Sequence, residues 1–125
     1  MTLLRASLSS LALSLALALV ACGDDGSGAD AGDPVDCDAA AVPRYSEMSA
    51  VWAKCTNCHA STLSGAARNA APIGVDFDTH AAAKAEAADA VKRVEDGTMP
   101  PANQPQLTAE EEEQLIRWAS CGTPE

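Results

Sequence analysis

The chain has 125 residues, 8 Lys and Arg against 18 Asp and Glu, a formal charge of −10, and only one Tyr, one Phe and two Trp. Charge of this sign argues against nucleic acid and anionic lipid headgroups as partners for the body of the protein. So few large side chains cannot fill much of a core, and domains this small commonly depend on a disulfide, a metal or a cofactor for stability.

Arg5 is the only charge ahead of an apolar run of Leu, Ala and Ser from Leu8 to Val20. This layout predicts a secretory signal peptide over 1–21, because the run is shorter than the roughly 20 residues that span a bilayer. The run closes on Leu19-Val20-Ala21-Cys22, which resembles the lipobox of bacterial lipoproteins. That resemblance implies cleavage before Cys22 and acylation of its sulfur and new amino group; the other reading leaves Cys22 a spare thiol after an ordinary signal. Lipid contributes about 0.8 kcal/mol per buried CH2, and more than one chain makes anchoring stable. The expected location is the periplasmic side of a bacterial membrane or the cell surface. Removing the leader takes away Arg5 and no acidic residue, so the mature charge becomes −11.

From Gly23 to Asp36 the chain is mostly Gly, Asp, Ser, Ala and Pro. Such a segment cannot bury enough apolar surface to offset the entropy of ordering, so 22–36 reads as a lipidated, flexible, acidic linker. The folded domain is expected over 37–125. Cys37 lies at its first residue and Cys121 near its last. In an oxidising compartment these two are expected to pair, the alternative being two free thiols.

The first helix is expected within Ala41 to Lys54, with Ser46 as N-cap and Glu47 in the first turn, where an acid suits the helix dipole. Met48, Val51, Trp52 and Cys55 fall at helical spacing, so one apolar face leads into Cys55-Thr56-Asn57-Cys58-His59. Two cysteines separated by two residues, with histidine next, form the attachment signature of c-type haem. The spacing brings both sulfurs to one side of a turn, for thioether bonds to two porphyrin vinyl groups, and lets His59 reach the iron. A thiol-disulfide motif and a zinc knuckle also use this cysteine spacing, but the first belongs in a βαβ setting and the second needs another ligand pair. His80 and Cys121 are the remaining zinc candidates, and they do not form such a pair.

Ala60 to Asp76 has no clean period and reads as a loop around one side of the cofactor. Two readings of Pro72 stand side by side: a carbonyl near it accepts a hydrogen bond from the far nitrogen of His59, or the proline only stiffens a turn. A second helix is expected from a cap at Asp78 or Thr79 through about Asp96, with Ala83, Ala87, Val91 and Val94 along one side and Gly97 ending it. His80 in its first turn is a rival axial ligand. Met99 lies between Gly97 and two prolines, on a turn of limited freedom that presents a thioether to a metal at low entropic cost. The last helix follows Leu107. Thr108 and Glu111 form its capping box, Leu115, Ile116, Trp118 and Ala119 its buried face, and Gly122 its stop.

Together these residues resemble the small soluble cytochromes c with one haem. Cys55 to His59 match the attachment site, Met99 before proline matches the distal ligand, and Leu115 with Trp118 is similar to the Leu and aromatic of that family's last helix. The resemblance covers Tyr45 to Gly122. It implies an all-α, cytochrome c-like domain around one covalent haem, with the first and last helices crossing beside it. It also implies one-electron transfer, with His59 and Met99 as axial ligands. Where the family carries a glycine and an aromatic in its first helix, this chain has Glu47 and Val51, with Trp52 one place later. Its acidity points to a redox partner with a basic docking surface. Two other functions fit the same residues: a peroxidase-like haem enzyme in which Met99 is labile, and a zinc-stabilised module without haem.

Overall fold

The computed structural model describes residues 34–125, so the expectations for the leader, for Cys22 and for the linker up to residue 33 lie outside the described residues. Helices and turns, and no strand, make up the described residues, and the class is all-α. The longer elements are α1 (Ser49–Thr56), α2 (His80–Ala85), α3 (Ala87–Glu95) and α4 (Ala109–Ser120), with 3-10 turns at Tyr45–Glu47 and Gly65–Arg68.

The first helix starts later than Ser46. Arg44 to Met48 form a tight turn in which Glu47 Oε2 accepts from the Arg44 N–H at 2.8 Å and Met48 N–H reaches the Tyr45 carbonyl at 3.2 Å. Met48 therefore occupies the N-cap, and it is buried rather than hydrogen bonding to the helix end. α1 then runs on through Cys55.

The second expected helix is two. Thr79 caps α2, its Oγ1 accepting from Ala82 N–H at 3.2 Å, and the chain leaves helical geometry at Glu86 (φ −99°, ψ 3°) before α3 begins. No glycine or proline marks this break. Ala83 and Ala87, on either side of Glu86, are both buried in the core. α3 ends where Gly97 takes a positive φ of 65°, with Thr98 N–H on the Arg93 carbonyl and Gly97 N–H on the Val94 carbonyl, both at 2.9 Å. These bonds satisfy carbonyls the helix end leaves open. At α4 the capping box is complete, with Thr108 N–H to Glu111 Oε2 at 2.6 Å and Glu111 N–H to Thr108 Oγ1 at 3.3 Å.

The core is one cluster of Met48, Val51, Trp52, Phe77, Ala83, Ala87, Leu107, Leu115 and Trp118. All four aromatic residues join it. Trp52 of α1 meets Trp118 of α4 edge to face at 5.2 Å between ring centroids, and stacks on Tyr45 at 5.0 Å and on Phe77 at 6.2 Å. Thus α1 packs on α4 through two indoles rather than through a small residue. Such pairs are worth about 0.5–1.5 kcal/mol beyond the area they bury.

The chain's ends close over this cluster. The Pro124 carbonyl accepts from Tyr45 N–H and from Trp118 Nε1, both at 2.9 Å. A disulfide joins Cys37 to Cys121, with the Cα atoms 5.7 Å apart, and Arg117 Nη1 donates to the Asp36 carbonyl at 3.0 Å.

Candidate functional site

Cys55 lies in the last turn of α1, and the chain tightens just after it. Cys58 N–H and His59 N–H both reach the Cys55 carbonyl, at 3.2 and 2.9 Å. One turn therefore carries both sulfurs and the imidazole. Neither cysteine is in a disulfide, and both are half-buried. Burial pushes the Cys55 thiol up to about 11, with Lys54 opposing only in part. Cys55 is thus protonated at neutral pH, the reverse of the depressed value that makes a redox or metal-binding thiolate.

His59 is held from three sides. Its Nδ1 lies 2.9 Å from the Val75 carbonyl, its own carbonyl accepts from Phe77 N–H at 2.9 Å, and the Phe77 ring stands edge-on to the imidazole at 5.5 Å. A carbonyl can only accept, so Nδ1 carries a proton, and in the neutral imidazole the lone pair is then on Nε2. That is the tautomer an Nε2 metal ligand requires. The acceptor, Val75, lies three residues after Pro72, in the stretch where a carbonyl was expected; the Pro72 carbonyl itself is engaged by Arg68 Nη2 at 2.6 Å.

Arg68 is the residue that sequence reasoning missed. It is 4 % exposed and organises the loop after His59 from inside. Nη1 donates to the Ala60 carbonyl at 2.8 Å, Nε to Ala71 at 3.2 Å, and Nη2 to both Pro72 and Val75. The Asp76 carboxylate lies 2.8 Å from Nη2, off the hydrogen-bonding direction, so it neutralises the guanidinium without taking one of its hydrogens. This hub holds a loop in which Asn69 and Ala70 both adopt positive φ, 47° and 68°, a conformation side chains other than glycine resist. A signal was available: Arg68 is the only Lys or Arg between Lys54 and Lys84.

Met99 sits at the surface with 37 % of its area exposed, and its backbone N–H is tied to the Arg93 carbonyl at 3.0 Å. Among the described residues, the other large apolar side chain left in solvent is Ile73, at 93 %, two residues before Val75. His80 is engaged elsewhere: Nε2 lies 2.7 Å from the Thr123 carbonyl, and the ring packs edge-on to Tyr45 and Trp118. Cys121 is spent in the disulfide. The zinc set of Cys55, Cys58, His80 and Cys121 is therefore not assembled.

Two unbridged cysteines share a turn with an imidazole whose Nε2 is free, and Ile73 and Met99 offer apolar surface that lacks protein cover. The two surface hollows, one bordered by Val35, Ala109 and Ile116 and the other by Lys84, Val91 and Ala119, include none of these residues. Comparison with protein-family models, with curated proteins and with solved structures gave no match to the chain.

Proposed function

We propose that this chain is a membrane-tethered c-type cytochrome with one haem, acting as a single-electron carrier on the periplasmic side of a bacterial membrane or at the cell surface. The observation that carries the reading is His59, the histidine of the attachment motif, held with Nδ1–H on the Val75 carbonyl and Nε2 free. In this reading Cys55 and Cys58 hold the haem covalently, His59 is one axial ligand and Met99 the other, in a cytochrome c-like helical domain. Haem iron so ligated supplies a one-electron ferric/ferrous couple, at a potential raised relative to bis-histidine ligation. The chain's own contribution is rigidity. The Arg68 hub, the Phe77 contact and the packing of α1 on α4 fix His59, so little need move when charge changes. The acidic body favours a redox partner with a basic surface, Cys22 supplies the lipid anchor, and nucleic acid has no place in the reading.

A second reading is favoured by one observation, the exposure of Met99. A methionine so lightly held suits a peroxidase-like haem enzyme in which that ligand gives way. Mass spectrometry of the mature protein, produced in a host that assembles haem c, tests the shared premise. The peptide containing Cys55 to His59 is expected to carry one added haem, and its absence refutes both readings. Ferric spectra then divide them: a weak far-red methionine-to-iron band, lost in Met99→Ala, supports the carrier, whereas a high-spin five-coordinate wild type supports the enzyme.

A further inference from the structure

One carbonyl oxygen beside His59 serves two donors. Val75 O accepts from His59 Nδ1 at 2.9 Å and from Arg68 Nη2 at 3.1 Å. We propose that Arg68 is a positioning residue that weakens the hold of Val75 on His59 and thereby raises the reduction potential of an iron bound at Nε2. The proposal rests on the haem reading above.

A carbonyl has two lone pairs, so both donors fit. They do not fit independently. Hydrogen bonds strengthen one another along a chain of donor to acceptor, and two donors converging on one oxygen compete for the same electron density. One of these donors belongs to a guanidinium in a buried site, so even at 3.1 Å it draws density from that oxygen. The Nδ1–H bond of His59 is correspondingly weaker than a carbonyl devoted to it would make. A strong second-shell acceptor makes a ligating imidazole more basic and favours ferric iron; a weakened one favours ferrous. Asp76 balances the guanidinium charge while the carbonyls keep its hydrogens, so the effect on Val75 persists although the net charge of the pair is zero.

A merely structural Arg68 acts with the opposite sign. If it only held the loop, its loss would let Val75 drift from His59, the imidazole would lose its acceptor, and the potential would rise. Arg68→Lys separates the two roles. Lysine keeps the positive charge near Asp76 and lacks the planar fork that reaches several carbonyls at once.

In the haem-loaded variant, the ferric-to-ferrous ratio at a fixed applied potential is expected to rise about tenfold, a fall of about 59 mV for a one-electron couple. The His59 Nδ1 proton of the ferrous protein is expected to move downfield as its bond strengthens. A raised potential with an upfield shift, or no change in either, overturns the proposal. A wild-type measurement stands apart from the variant's folding. In ferrous protein, a nuclear Overhauser contact is expected between the His59 Nδ1 proton and the Arg68 guanidinium protons, and its absence is equally fatal. Wild type without covalent haem defeats the function proposed above; haem-loaded wild type with an unshifted Arg68→Lys defeats only the role of Arg68.

Discussion

Replacing Cys37 and Cys121 together by serine tests how far this small core depends on covalent help. The bridge closes a loop across a sequence separation of 84 residues. In the chain-entropy account, releasing a loop of that length from the unfolded ensemble costs about 4.5 kcal/mol at 25 °C. Against the 5–15 kcal/mol typical of a folded domain, that is a large fraction. The contacts that remain between the two ends are hydrogen bonds: Arg117 Nη1 on the Asp36 carbonyl, Tyr45 N–H on the Pro124 carbonyl and Arg44 Nη1 on the Glu125 carbonyl. They are partly exposed and do not replace a covalent closure. Guanidinium unfolding of the purified protein, followed by circular dichroism, is expected to show a loss of about 3–4.5 kcal/mol. For a domain of this size such a loss lowers the melting temperature by about 12–35 °C. The slope of free energy on denaturant should steepen, because the released unfolded chain exposes more surface. A loss below about 1 kcal/mol with an unchanged slope would refute the chain-entropy account of this bridge.

Glu111 links stability to pH. Its hydrogen bond from Lys54, then that from Thr108 N–H, hold its carboxyl below the ordinary carboxylate value. A depressed value in the folded state means stabilisation that is present above the unfolded value and lost as pH falls through the folded one. Glu111→Gln is therefore expected to flatten the fall in unfolding midpoint between neutral and acid pH, and an unaltered slope refutes the linkage. Cys55 gives a separate check on folded protein made without haem. Its alkylation by iodoacetamide, read on the Cys55 peptide, should rise with pH through about 11, and a half-maximum near that of an exposed thiol contradicts the burial assigned to it.

What was legible in the sequence was mostly local. The turn from Cys55 to His59, the Thr108 and Glu111 box and the Gly97 stop each depend on residues within one helical turn or the next. Spacing alone therefore specifies them. The Leu115 and Trp118 face was equally readable, because helical period places it. What escaped was decided at long range. Ser46 and Met48 both stand ahead of a helix, and the burial of Met48 under the aromatic cluster settles which one begins it. The alanines from Ala81 to Ala90 carry no local preference for a break, so the interruption at Glu86 had no signal in the sequence. That a carbonyl near Pro72 would meet His59 was legible, but that it is Val75, and that Arg68 takes the Pro72 carbonyl, was not. An arginine in a loop of Gly, Ala and Asn ordinarily points to water; here carbonyls of the same loop converge on it.

The aromatic cluster and His59 are joined through a single residue. Phe77 stacks on Trp52, stands edge-on to His59, donates its N–H to the His59 carbonyl and accepts the Tyr45 hydroxyl on its own carbonyl at 2.8 Å. His59 is therefore placed by Phe77 from the core side and by Val75 from the loop side. Each support is buried or half-buried, and each is held by a further partner: Phe77 by Trp52 and Tyr45, Val75 by Arg68. Protein interiors are packed too closely for one such group to shift alone. Loss of packing around Trp52 should thus be felt as freedom of the His59 ring before it is felt as loss of helix. The same reasoning explains how a chain with four aromatic residues holds an imidazole steadily: all four lie in one contiguous cluster, and that cluster ends on His59.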